Sequence, residues 1–159
     1  MHKGFNRVDE YSEIIQRIHS YGIAVQAGIV FGFDHDGAGI FKETIDFLEE
    51  ACVQNATFNM LTPFPGTPLF RRLEAEGRIL TRDWRKYNSR HNVVFQPKQM
   101  SPDDLLAGFR YANELFYSLP SIAKRLSRSA VQLGWTLPLN LAYGYQGRMT
   151  RSARSKMIL

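Results

Sequence analysis

From Ile23 to Leu69 the chain reads as two apolar runs joined by a crossover helix, an arrangement that few folds accept. Ile23 to Phe31 shows almost no alternation, with Gln26 as its strongly polar member; such a run predicts a strand covered on both faces in a parallel sheet. Ala56 to Leu61 is the second run. The connection between them holds about a dozen helical positions, the length that a right-handed crossover between parallel strands requires. Both runs end in Gly/Pro-rich loops. Function in such units gathers at the carboxyl ends of the strands, so attention falls on Gly28 to Gly39 and on Leu61 to Thr67.

The flanking segments fit this frame. A helix is predicted from Val8 to Ser20, with Tyr11, Ile14, Ile15 and Ile18 as its apolar stripe and Gly22 as its C-terminal cap. The crossover helix is predicted from Ala38 to Ala51, capped by Asp36, with Phe41, Ile45 and Leu48 facing the sheet. Asp34, His35 and Asp36 are adjacent in one loop, a geometry that favours structural roles over convergence on one metal ion. Cys52 reads as a small buried hydrophobe. After the second run, Pro63, Pro65 and Pro68 each fix φ and Gly66 opens a conformation closed to other residues. Thr67-Pro68 then starts a short helix that stops at Gly77.

Residues Arg78 to Arg90 interleave Trp84 and Tyr87 with basic side chains. Asp83 and the short length argue against nucleic-acid binding and for a structured connector, with Val93 to Phe95 as a short strand able to cover an edge. Ser101-Pro102-Asp103-Asp104 is a strong helix start, and a second helix opens at Pro120 with Ile122 and Leu126 on its apolar side and Lys124, Arg125 and Arg128 on its others.

Charge is placed unevenly. The chain carries +5 overall, yet residues 115–159 hold seven Lys/Arg and no acid. Residues 146–159 read as a disordered basic tail. One cysteine excludes an internal disulfide framework, the first residues lack the apolar core of a signal peptide, and no run reaches the roughly 18 apolar residues of a membrane span. A cytoplasmic protein is expected, with contact at the inner membrane surface as an open alternative, since Trp135 and Tyr143 stand beside basic flanks.

The run G-I-V-F-G at Gly28 to Gly32, Glu43 and Thr44 in the following helix, and T-P-F-P-G-T-P-L-F at Thr62 to Phe70 together resemble the last part of a radical S-adenosylmethionine (radical SAM) enzyme barrel. The class that carries a cobalamin-binding domain ahead of its radical SAM domain is the nearer likeness, and His2 to Arg7, His35-Asp36 and Arg82 to Lys98 share it. The resemblance implies an α/β fold: residues 1–100 as the C-terminal portion of a partial (β/α)6 TIM-like barrel, 101–145 as a helical extension, and 146–159 as the tail. It also implies partners in a preceding barrel half and a cobalamin domain.

In such an enzyme S-adenosylmethionine is cleaved reductively at a 4Fe-4S cluster, and the resulting radical attacks an unactivated carbon for methyl transfer or cyclisation of a small-molecule or lipid-like substrate. The cluster requires three closely spaced cysteines, so this chain is expected to hold no metal and none of the cofactors by itself. Its part would be an adenosyl and substrate wall formed by Gly28, Ile29, Gly32, Leu61 and Thr62; no catalytic residue is assigned. Two other classes stay open: a stand-alone binding module, and a membrane-surface or nucleic-acid module using the basic tail.

Overall fold

The computed structural model describes residues 10–129 and 131–155, with side chains described as far as Tyr145. The elements are helix α1 (Tyr11–Ser20), strand β1 (Gln26–Phe31), α2 (Ile40–Glu50), β2 (Asn55–Met60), α3 (Pro68–Ala75), α4 (Pro102–Phe116), α5 (Leu119–Arg128) and α6 (Leu133–Ser155). The two strands pair with each other. Asn55 N–H donates to Val25 O at 3.2 Å and Leu61 N–H to Phe31 O at 2.8 Å, a constant offset that makes the pair parallel. The class is therefore α/β, with the strand–helix–strand order that the two apolar runs predict.

Burial along β1 differs from expectation. Ile23 lies outside the strand and is 53% exposed, and within β1 the residues alternate, Gln26, Gly28 and Val30 being exposed and Phe31 buried. A run without polar alternation was the basis for predicting two covered faces, but among the described residues only one layer covers this strand. β2 is more deeply set, with Asn55, Ala56, Phe58 and Met60 buried.

The chain divides into two compact units: residues up to Ala27 with Asp46–Ala56 and Phe116 onward, and Gly28–Ile45 with Thr57–Leu115. In the second, Phe31 stacks on Phe58 with centroids 6.0 Å apart and meets Phe41 at 4.9 Å. Gly108 of α4 lies against the Phe41 ring so closely that a Cβ would overlap it. The connector before α4 is folded: Phe70, Tyr87 and Val94 form a small core with Ile79, and Tyr87 Oη donates to Thr81 O at 2.7 Å. Phe95 makes a single antiparallel bridge to Ile79 instead of covering the edge of the main sheet. Ser101 opens α4 as predicted, its Oγ accepting from Asp104 N–H at 3.0 Å while Asp104 Oδ2 accepts from Ser101 N–H at 3.1 Å.

The first unit is built around a side chain that sequence patterning puts on the wrong face. Arg125 is fully buried. Its Nη1 donates to Val53 O at 2.9 Å and Gln54 O at 2.8 Å; its Nη2 donates to Phe116 O at 2.8 Å and Asn140 Oδ1 at 3.0 Å. The guanidinium lies 3.6 Å from the Phe116 ring centroid, a cation–π contact. Burial pulls its pKa down to about 10, so the group still carries its charge at neutral pH. Asn140 reinforces the cluster by donating to Gln54 O at 2.9 Å.

Three helices end in the same way. After α1 and α3, Gly22 and Gly77 take positive φ of 72° and 67°, and the next amide reaches back to Ile18 O and Leu73 O respectively. After α2 the equivalent residue is Cys52, at φ 54°, with Val53 N–H bonded to Leu48 O at 3.0 Å. Cys52 is half-exposed, not the buried hydrophobe expected; its place is set by the turn. A left-handed conformation costs an L-residue roughly 1–2 kcal/mol, which glycine avoids. Cys52→Gly should therefore raise stability by about 0.5–1 kcal/mol, read as an increased urea midpoint at unchanged m-value; a lower midpoint would show that the thiol's contacts outweigh the backbone term.

The last helix is a further departure. Residues 146–155, expected to be disordered, belong to α6, which also runs through Pro138; residues 156–159 of that expected tail, and the start of the helix predicted from Val8, lie outside the described residues.

Candidate active-site wall

Among the described residues, the paired strands present one helix-covered face and one open face. Phe31 and Phe58 point to the covered side, toward Phe41. On the open side stand Gly28 and Val30 from β1 with half-buried Thr57 and Asn59 from β2. Among the described residues, a Cβ built on Gly28 would meet nothing closer than Thr57 Oγ1 at 3.9 Å. Gly28 thus leaves a hollow that a side chain would fill. Asn59 Oδ1 accepts from Ser89 Oγ at 3.0 Å, and Met60 N–H donates to Ser89 O at 2.7 Å, so this end of the outer β2 edge already has its partner. The same edge is closed at its start, where Tyr117 Oη donates to Ala56 O at 2.6 Å. No strand pairs with the far edge of β1 among the described residues.

The loops at the carboxyl ends are held by carboxylates. Asp36, buried, does not cap α2 as expected; its Oδ2 accepts from Gly32 N–H at 2.8 Å and Phe33 N–H at 2.9 Å. The acid folds back on the strand end because those two amides, just past the last ladder bond, lack other partners. Asp34 is gripped by Arg78 Nη2 at 2.8 Å, Arg72 Nη1 at 2.9 Å and Lys98 Nζ at 3.7 Å. The Arg78 contact holds its pKa below the ordinary carboxylate value. A depressed carboxylate contributes its stability above the unfolded pKa and loses it as pH falls through the folded one, so this loop is expected to loosen only in acid. His35 is exposed, 3.7 Å from Asp36 Oδ1. Past β2, Thr62 Oγ1 donates to Met60 O at 3.1 Å, and Thr67 caps α3 by accepting from Phe70 N–H at 3.2 Å. Gly66 takes φ 81°. Phe33 and Phe64, one beyond each strand, are 42% and 50% exposed.

Among the described residues no three His, Cys, Asp or Glu side chains converge as ligands, and Cys52 precedes β2, at its amino end, with Sγ turned to Glu50 O at 3.6 Å.

Comparison with known proteins bears directly on this arrangement. Over all 159 residues the chain is 34% identical to bacteriochlorophyllide d C-12(1)-methyltransferase of Chlorobaculum tepidum, covering 33% of that protein. It is 30% identical over 156 residues, 90% of the chain, to hopanoid C-2 methylase of Rhodopseudomonas palustris, covering 30% of it. Anaerobic magnesium-protoporphyrin IX monomethyl ester cyclase of Cereibacter sphaeroides is 28% identical over 110 residues, 69% of the chain and 18% of that enzyme. Residues 67–142 match a family described as a domain of unknown function, DUF4070. These matches support the likeness to the C-terminal part of a cobalamin-type radical SAM enzyme. The chain spans about a third of the length of the first two of these relatives.

The five expected wall residues fall into two groups. Gly28 is exposed on the open face and Ile29, half-buried, points to the other. Gly32 and Leu61 come together at the strand ends, but a Cβ on Gly32, at φ 106°, would lie 2.9 Å from Leu105 Cδ2, 3.3 Å from Phe95 Cζ and 3.5 Å from Leu61 Cβ. That side of Gly32 is filled by protein. Its glycine identity follows from packing and positive φ. Leu61 and Thr62 are half-buried in the loop. Val30, Thr57 and Asn59 complete the open face and were not singled out from sequence; the period-2 alternation with Gly28 is the signal that would have found them.

Proposed function

We propose that this chain forms the last two staves of a (β/α)6 radical SAM barrel, with the helical extension packed after it, in a cobalamin-dependent methyltransferase or cyclase. The observation that carries the reading is the asymmetry of the sheet: β2 has its outer edge closed by Tyr117 and Ser89, while among the described residues β1 has a free edge and both strands leave one face open. A terminal strand pair of a barrel has this character, since further strands add only at β1 and the open face turns inward.

In the whole enzyme, S-adenosylmethionine with its 4Fe-4S cluster would supply a carbon radical, and cobalamin a methyl group; the relatives are named for methylation of a bacteriochlorophyllide or a hopanoid and for cyclisation of magnesium-protoporphyrin IX monomethyl ester. The chain's own residues bind and exclude water. Gly28 gives the adenosyl group room against the sheet, and Val30, Phe33 and Phe64 offer apolar surface beside it. The chain by itself does not fit the cluster. Anaerobic iron–sulfide reconstitution of residues 1–159 should leave no stoichiometric four-iron species and yield no 5′-deoxyadenosine from S-adenosylmethionine; a chain that took up a full cluster and cleaved the cofactor would refute this division of labour.

A further inference from the structure

The described first turns of α6 are built inside out. Its polar side chains Thr136 and Asn140 are fully buried, whereas Leu133, Trp135, Leu137, Leu141 and Tyr145 are 40%, 71%, 43%, 45% and 64% exposed. Asn140 is turned inward because it completes the Arg125 cluster, and Thr136 Oγ1 donates to Gln132 O at 3.1 Å; the apolar side chains are left outside as a consequence. Leu119 of α5, 57% exposed, continues the patch, and a groove of about 160 Å³ between α5 and α6 runs into it, lined by Ile122, Leu141 and Gly144 among others. Exposed apolar surface of this continuity marks an interaction site.

Charge identifies the occupant. From Leu133 to Gly147 the chain has no charged residue, and Arg148, Arg151, Arg154 and Lys156 follow directly; no acid occurs anywhere from residue 115 onward. An apolar face with a basic sequel and no acid complements an anionic lipid surface. No helix among the described residues is long and apolar enough to cross a membrane, so the helix would lie in the interface. We propose that the outward face of α5 and α6 docks on an anionic lipid bilayer, with Trp135 and Tyr145 at headgroup level and the following basic residues on the lipid phosphates. The proposal is independent of the radical SAM reading: it concerns where the protein works, and its failure would leave the barrel assignment untouched.

The test is flotation of the 159-residue chain with vesicles of equal parts phosphatidylcholine and phosphatidylglycerol, beside vesicles of phosphatidylcholine alone. Trp135 emission is followed in a Trp84→Phe background, which leaves it as the sole tryptophan. Expected are co-flotation with the anionic vesicles, a blue shift of Trp135, and a loss of tenfold or more in partitioning for Leu137→Glu with Leu141→Glu. Both sites are solvent-facing, so the double variant should keep its helical circular dichroism. Each of Arg148→Gln and Arg151→Gln should lower partitioning about fivefold at low salt. Absence of flotation with anionic vesicles would overturn the proposal, as would equal binding by the double glutamate variant. A Trp135 shift without lipid, together with a dimer in sedimentation that the double variant abolishes, would also overturn it by assigning the face to a second copy.

Discussion

Arg125→Leu is expected to remove a large share of the protein's stability at neutral pH. The wild-type guanidinium satisfies the carbonyls of Val53, Gln54 and Phe116 and the Asn140 amide oxygen, all in a region without solvent access to Arg125. Leucine removes every one of those donors and leaves the acceptors buried. Breaking a buried charged network in this way costs about 3–5 kcal/mol, against a total stability of roughly 5–15 kcal/mol for an ordinary domain. Arg125→Lys should recover only part of the loss, because an ammonium cannot span two separate pairs of acceptors or lie flat on Phe116 as the planar fork does. The check is urea unfolding followed by circular dichroism; an Arg125→Leu variant within about 0.5 kcal/mol of wild type would contradict the central place given to this side chain. The pH dependence has a definite sign. A base whose folded pKa is lowered binds fewer protons folded than unfolded, so the cost of burying this charge is present below about 10 and relieved as pH rises above it.

That residue also marks where sequence reading stops. The parallel crossover, the caps at Thr67 and Ser101, the stops at Gly22 and Gly77, and the core positions Phe41, Ile45 and Leu48 are all legible, because each depends on chemistry within a few residues or on a simple period. Arg125 is not. A cation three residues after Ile122 on a helix otherwise studded with Lys124 and Arg128 reads as solvent-facing, and its real environment depends on Val53, Gln54 and Asn140, 72, 71 and 15 residues away. Asp36 went astray for a related reason: any acid just ahead of a helix looks like a cap, whereas the strand-end amides of Gly32 and Phe33 are nearer in space. At the wall, the GIVFG run drew attention to both glycines alike. Only the structure separates Gly28, with empty space before it, from Gly32, pressed by Leu105 and Phe95.

This separation supplies the second large effect. In the enzyme proposed above, Gly28→Val should leave folding intact, since β-branched residues suit a strand and the nearest described atom to the new Cβ is 3.9 Å away, while the side chain projects into the space assigned to the adenosyl group. Gly32→Val should instead damage the fold, through a Cβ brought to 2.9 Å from Leu105 Cδ2 and a branched residue at positive φ, with a cost on the order of 3 kcal/mol or more. The pair distinguishes a ligand hollow from a packing requirement. The decisive measurement is S-adenosylmethionine affinity of the cluster-loaded, full-length Gly28→Val enzyme by equilibrium dialysis, alongside its melting temperature. An affinity at least tenfold weaker at an unchanged melting temperature is the predicted result; unchanged affinity in a folded variant would mean that the open face of this sheet does not receive the cofactor.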